Sequence, residues 1–287
     1  MSTTLSFIGK QIIIYCGTPI FLAGIIGVLL NTVVFLSLRT FRQSSCAFYL
    51  TIMSIANIGP IFFGLLSRIM IALLGFDGTE RSLFYCKARL YITHVCIGTS
   101  LTCMCLATID QYLATCSRPH WQHFCNIKLA RRIILCSTIV WSSHGIRYLI
   151  FLIHVKSANT NIVSCTTTNY VFGQYRIYIV LLVLIGYLPA VIATFFGSMA
   201  YYNVRHLTYR TIPMVRRELD KQLTTMVLVQ IVVNIPALLS YTTASAVTTN
   251  PNLFSDSISQ AGVQFALNVC HTFYYITFSV RNSAKFI

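Results

Sequence analysis

Long apolar stretches separated by short polar segments make up almost the whole chain. A bilayer core about 30 Å thick is crossed by a helix of about 20 apolar residues. Backbone groups in lipid must be hydrogen-bonded within the segment, so such stretches are expected to be helices. The pattern predicts seven transmembrane helices, over residues 12–38, 46–74, 84–112, 132–154, 177–203, 222–247 and 259–280.

The segments between these stretches are short, and no separate polar domain is evident. The sequence therefore predicts a single domain, residues 1–287, which is an all-α membrane protein with a seven-transmembrane helix bundle. The first apolar stretch is long and lacks a small-residue cleavage site. It is expected to be the first membrane span rather than a cleaved signal.

Composition supports a membrane protein. Hydrophobic residues make up 56% of the chain and charged residues only 9%, with a mean hydropathy of +0.71. Soluble proteins carry about 25% charged residues, which excludes an ordinary soluble enzyme. The net charge of +15 arises because 21 Lys and Arg residues face only 6 acids. Basic residues of membrane proteins concentrate in cytoplasmic loops, so the lipid bilayer, and not nucleic acid, is the expected partner.

The distribution of basic residues predicts the orientation. Most of the 21 Lys and Arg residues follow the first, third, fifth and seventh predicted spans. Since positive charge favours the inner side of the membrane, the N-terminus is expected outside and the C-terminus inside. We therefore expect a multi-pass membrane protein.

The chain has 11 cysteines, most of them in predicted spans or inner segments. There a thiol acts as a small hydrophobe or stays reduced. Cys86, at the outer start of the third span, and Cys165, in the loop after the fourth, are both expected in an oxidising compartment. We predict a disulfide between them. No cysteine spacing suggests zinc, and no cofactor or metal is expected.

Several motifs resemble a known family. Span one contains Gly27-Val-Leu-Leu-Asn31, and the third span ends with Thr108-Ile-Asp110-Gln111-Tyr112. Trp141, Pro189 and Pro236 mark spans four, five and six. Together with seven helices and one bridge from the third span, these features resemble the rhodopsin-like (class A) G-protein-coupled receptors over nearly the whole chain.

The resemblance implies roles for residues at the inner end and along the bending helices. A proline inside a helix removes a hydrogen bond and bends the axis. The residues expected to act in activation and coupling are Asp110, Gln111, Tyr112, Pro189, Pro236 and Tyr275.

The chain also departs from the family pattern. Gln111 replaces the arginine of the family's D-R-Y, and Arg216 stands where the sixth span has an acid. An ionic latch of the family type therefore cannot form. Either neutral hydrogen bonds hold the resting state, or basal coupling is altered.

Polar residues inside the spans suggest a hydrogen-bonded network in the interior of the bundle. Asn57 replaces an acid of the family pattern, Asn234 replaces the tryptophan before Pro236, and Tyr275 matches the family's tyrosine only after a one-residue slip. Polar groups in lipid need partners, either in one network or as separate helix–helix pairs. The residues expected in the network are Asn31, Asn57, Asn268 and Thr272, together with Asn234.

The outer halves of the spans indicate the kind of ligand. Thr93 lies where the family's amine receptors carry an aspartate, and no acid occurs nearby, so a cationic amine is not expected. Arg68 and Arg147 lie inside spans, where a charge is costly. Either they extend to the headgroups or they form a basic pocket for an anion or a peptide C-terminus. The pocket residues expected are Arg68, Thr93, His94, Ile97, Arg147, Tyr178, Asn234, Tyr241 and Gln264.

The resemblance implies a receptor and not an enzyme. We expect it to transduce binding of an extracellular ligand, a peptide or an anionic small molecule, to a heterotrimeric G protein. One alternative is a non-coupling or decoy seven-helix receptor, suggested by Gln111. Another is a membrane transporter or channel, which would favour broken helices and mid-membrane ion ligands.

Overall fold

Long helices form nearly all of the computed structural model, which describes residues 2–37, 44–75, 77–116, 119–156, 163–206, 214–249 and 257–283. Two short helices, Gly78–Arg81 and Pro119–Gln122, precede the third and fourth long helices. The long helices within these ranges are α1 (Ser2–Ser37), α2 (Ser45–Leu74), α3 (Leu83–Thr115), α4 (Ile127–Phe151), α5 (170–206), α6 (Met214–Thr248) and α7 (Ser257–Ser283).

Each predicted span falls on one of these helices, although the bounds differ. Residue 38, the end of the first predicted span, lies outside the described residues. The fourth predicted span, to residue 154, is too long, because α4 ends at Phe151 and the chain becomes extended. Helix α5 begins at Tyr170, seven residues before the predicted start.

By length and composition, six helical stretches are apolar enough to cross a membrane. They are Phe7–Val33, Ser45–Leu74, Leu83–Thr115, Ile127–Phe151, Tyr170–Arg205 and Lys221–Thr248. This confirms an α-helical multi-pass membrane protein. Helix α7 is not among the six, and it carries Gln260, Gln264, Asn268 and His271. The seventh span and the orientation therefore stay predictions.

Four of the helices have a polar N-cap residue just before the apolar stretch. A side-chain oxygen there accepts a hydrogen bond from a backbone N–H of the first turn, which has no partner within the helix. The N-cap residues are Ser44 for α2, Ser82 for α3, Asn126 for α4 and Asn169 for α5.

Helices α2 and α5 each contain a π-helical segment, at Pro60–Leu66 and at Tyr175–Tyr187. Proline lacks a backbone donor, so Pro60 interrupts the regular hydrogen bonding of α2. Such wider turns are often found at functional sites. Both segments lie in the half of the bundle that also holds the disulfide and, as described below, a cavity.

Helix α3 lies at the centre of the bundle and packs against α2, α4, α5 and α6, while α7 packs against α1 and α6. The core between them is filled by large apolar side chains. Those with almost no exposure include Leu50, Met53, Met104, Leu223, Leu238 and Phe278.

An antiparallel hairpin, absent from the predicted fold, connects α4 to α5. Its strands are β1 (Ile153–Lys156) and β2 (Val163–Thr166), with Ile153 opposite Thr166 and His154 opposite Cys165. The His154 Nε2 atom lies 2.7 Å from the carbonyl oxygen of Thr79, so the hairpin is attached to the short helix before α3.

The contact between α3 and α4 gives a test of this packing. A Cβ atom at Gly98 would overlap the Trp141 indole, whereas no atom of the described residues lies within 4 Å of a Cβ at Gly262. Gly98→Ala should lower the free energy of unfolding by about 1–3 kcal/mol because a tightly packed ring must move. Thermal unfolding of the purified protein measures the change.

Gly262→Ala is the matched control, since alanine favours a helix and its Cβ meets no described neighbour there. It should leave the melting temperature unchanged or raise it. Equal melting temperatures for the two variants would contradict the α3–α4 contact.

Candidate functional site

A cavity of about 330 Å³ lies between helices α2 to α7, at the disulfide end of the bundle. The lining combines apolar side chains with a few polar groups, as is usual for ligand sites. The predicted pocket residues that line it are Arg68, Thr93, His94, Ile97 and Tyr241.

Four other predicted pocket residues do not line this cavity. Arg147 is exposed, and its Cζ atom lies 4.9 Å from the centre of the Tyr175 ring. Tyr178 and Gln264 are exposed as well. Asn234 is buried deeper, where its Nδ2 atom lies 3.9 Å from the sulfur of Met104.

The cavity is basic. Arg68 of α2 and Arg176 of α5 both line it, and none of the described residues that line it is acidic. The ion pair observed among the described residues joins Arg89 to Asp77 at 3.8 Å and involves neither arginine of the cavity. Sequence reasoning placed Arg176 in an outer loop; the early start of α5 moves it onto the bundle.

Two histidines connect the cavity wall to α4 and α5. The Nε2 atom of His94 lies 2.8 Å from Nδ1 of His144, and Nε2 of His144 lies 2.7 Å from the Tyr175 hydroxyl. The His94 ring also packs against Trp141 and Tyr148, with centroids 5.4 and 4.9 Å apart. These contacts hold the cavity-facing part of α3 against α4.

Aromatic rings of α6 and α7 form the opposite wall. His271 lies 4.4 Å from Tyr241 and 5.4 Å from Tyr275 between ring centres, and it is nearly parallel to Tyr275. The Arg68 side chain lies beside the Tyr275 hydroxyl. Sequence reasoning missed His271 because a lone histidine in an apolar span is usually a packing residue.

The disulfide lies at this end. Cys86, at the start of α3, is bonded to Cys165 of β2, which confirms the predicted pair. Cys86 is fully buried in a small cluster with Tyr148, Leu152 and Phe172. The bridge thereby holds the hairpin beside the α3 end of the cavity.

Polar contacts join the helices at the opposite end of α3. The Ser45 hydroxyl lies 2.8 Å from each carboxylate oxygen of Asp110, linking α2 to α3. The Thr224 hydroxyl donates to Gln111 Oε1 at 2.9 Å, linking α6 to α3. Gln111 is 2% exposed, so its neutral side chain bridges the helices where the family's arginine would stand.

The remaining residues expected to act in coupling are spread along the bundle. Tyr112 packs against Phe196 of α5, with ring centres 5.6 Å apart. The carbonyl oxygen of Pro189 lies 3.8 Å from the sulfur of Cys105, and Pro236 is an exposed residue within α6.

The position of Tyr275 does not fit a role at the Gln111 end. It lies against Gly64 and Arg68 of α2, beside the cavity. The alignment of the seventh span was the weakest of the motif matches, since Thr272 and Phe273 stand where the family has Asn-Pro.

The residues of the predicted polar network lie in several places. Asn57 accepts a hydrogen bond of 2.6 Å from Ser100, and Asn31 is buried in α1. Thr272 donates to the carbonyl of Asn268 within α7. Asn268 faces Gly9 of α1. A network that joins them all stays a prediction.

Comparison with known proteins does not assign a family. Scanned against protein-family models and against curated protein sequences, the chain matches none of them. The site is therefore interpreted from its own residues and geometry.

The disulfide should contribute strongly to stability, because it closes a loop with a sequence separation of 79 residues. Cys165→Ser should lower the free energy of unfolding by about 2–4 kcal/mol. Thermal unfolding of the purified variant, with and without reductant, measures this. Cys16→Ser is the control, since Cys16 is a free, exposed thiol. An equally small effect of both substitutions would contradict a structural role for the bridge.

Proposed function

We propose that this chain is a rhodopsin-like G-protein-coupled receptor of the plasma membrane. In this proposal α7 is the seventh span, the N-terminus and the disulfide lie outside, and the C-terminus lies inside. The cavity takes an extracellular ligand, a peptide or an anionic small molecule. The end of the bundle around Gln111 acts on a heterotrimeric G protein.

The observation that carries the proposal is the position of two sites on one helix. His94 lines the cavity, and Gln111, 17 residues later on α3, bonds to α6. At 1.5 Å per residue they are about 25 Å apart along the axis. That distance is most of the thickness of a bilayer core, as a protein that passes a signal across a membrane requires.

Helix α6 connects the same two sites. Tyr241 lines the cavity and Thr224 bonds to Gln111, with Pro236 between them. A proline inside a helix leaves a carbonyl without its usual donor and favours a bend. A ligand that favours a different position of Tyr241 would thereby shift the equilibrium towards a packing without the Thr224–Gln111 bond.

The Thr224–Gln111 bond would act as a neutral latch. A hydrogen bond between uncharged groups contributes about 1 kcal/mol, whereas a bond to a charged group contributes about 1.5–3 kcal/mol. This bond would therefore stabilise the resting state less than the ion pair of the family pattern would. We expect measurable activity without ligand.

Loss of the latch should raise ligand-independent signalling. Thr224→Val removes the hydroxyl at similar size, and a loss of about 1 kcal/mol corresponds to roughly a fivefold shift in the equilibrium. The measurement is G-protein activation in cells, with one reporter for each class of G protein, normalised to the amount of receptor at the surface.

Thr225→Val is the matched control, because the exposed Thr225 hydroxyl donates to the Lys221 carbonyl within its own helix. It should leave signalling unchanged. If the wild type and both variants reach the surface and activate none of the G proteins, the decoy receptor replaces our proposal.

A further inference from the structure

We infer that the cavity binds a carboxylate attached to a small apolar body, with the carboxylate held by Arg68 and His271. The inference deepens the proposed function and rests on it, since it names the class of ligand for the same cavity. Two sources share this chemistry: a free apolar carboxylic acid and the C-terminal residue of an apolar peptide.

Arg68 provides the charge. It lines the cavity, it is half-buried, and no described acid forms an ion pair with it. A guanidinium withdrawn from water without a counter-charge is costly. A carboxylate offers two oxygens to its planar fork, which is the geometry that arginine binds best.

In the proposed complex, His271 supplies a second hydrogen bond to the ligand. It lines the cavity at 9% exposure, and its Nδ1 atom has no hydrogen-bond partner among the described residues. A buried polar atom without a hydrogen-bond partner lowers the stability of the folded protein. A hydrogen bond to a ligand oxygen would offset that cost. Because the ring is packed between Tyr241 and Tyr275, the nitrogen is held in place before a ligand arrives.

Arg176 adds a second positive charge from α5. Arg147, the other arginine expected in the pocket, is exposed and stacks on Tyr175 instead. The basic site predicted from Arg68 and Arg147 is thus formed by Arg68 and Arg176.

The other walls favour an apolar body. They are mainly aliphatic, and burial of apolar surface against them stabilises a complex by about 25 cal/mol per Å². The volume of about 330 Å³ is at the small end for ligand cavities, which suits a small acid or one terminal residue of a peptide. The aliphatic residues of α3 and α5 are Leu90, Ile97, Ile177, Val180, Leu181 and Ile185.

The test measures thermal stabilisation of the full chain in lipid nanodiscs, because a ligand that binds the folded state raises its melting temperature. The probes are matched pairs: 4-phenylbutyrate with 4-phenylbutyramide, and N-acetyl-leucyl-leucine with its C-terminal amide. Each acid differs from its amide mainly in the charge. At least one acid should raise the melting temperature while its amide does not.

The two pairs distinguish the sources. Stabilisation by phenylbutyrate alone indicates a free acid, and stabilisation by the dipeptide indicates a peptide C-terminus. No stabilisation by either acid up to its solubility limit, or equal stabilisation by acid and amide, overturns the inference.

Variants then locate the anchor. Arg68→Gln and His271→Phe should each weaken binding of the acid about tenfold to a hundredfold, because a hydrogen bond to a charged group is lost. Arg68→Lys keeps the charge without the fork and provides a second variant if Arg68→Gln does not fold. It should bind more weakly than the wild type.

Arg147→Gln is the matched control, since it removes the same charge outside the cavity. It should bind the acid like the wild type, and an equal loss in this variant would overturn the site. The assay contains no G protein. If an acid but not its amide raises the melting temperature, and the chain activates no G protein, only the receptor proposal is contradicted. If the chain activates a G protein but neither acid raises the melting temperature more than its amide, only this inference is contradicted.

Discussion

Polar side chains inside a membrane bundle need partners on other helices, and α3 provides them along its whole length. Water is scarce between the spans, so each such pair fixes two helices relative to each other. Six described pairs of polar side chains include α3, and they link it to α2, α4 and α6. The pairs are Tyr85–Ser67, His94–His144, Ser100–Asn57, Thr102–Trp141, Asp110–Ser45 and Gln111–Thr224.

This central position makes α3 the common element of the two ends. At one end it forms a wall of the cavity and is tied to the hairpin by the disulfide. At the other end a buried, uncharged glutamine joins it to α6. A change at the cavity that moves α6 therefore breaks a contact that contributes little free energy. A ligand that binds the active state only modestly more tightly than the resting state would then be enough to activate the proposed receptor.

The helices and the disulfide could be predicted from the sequence, because apolar length and the side of the membrane decide them. The face of each helix could not. Arg147 of α4 is exposed and stacks on Tyr175, whereas Arg176 lines the cavity because α5 begins before the predicted start. The sequence pattern did not distinguish these two positions. The hairpin strands have only four residues each, too few for a periodic signal. The role of Tyr275 stays a prediction, since the seventh span has only weak motif matches.

The central claim is that seven helices cross the membrane, with the cavity on the outer side and the Gln111–Thr224 contact on the inner side. It requires an odd number of crossings, and α7 decides between six and seven. Epitope tags at both ends of the chain, stained in intact and permeabilised cells, test this directly. The account predicts that the N-terminal tag is stained in intact cells and the C-terminal tag only after permeabilisation. Both tags on the same side of the membrane would contradict it.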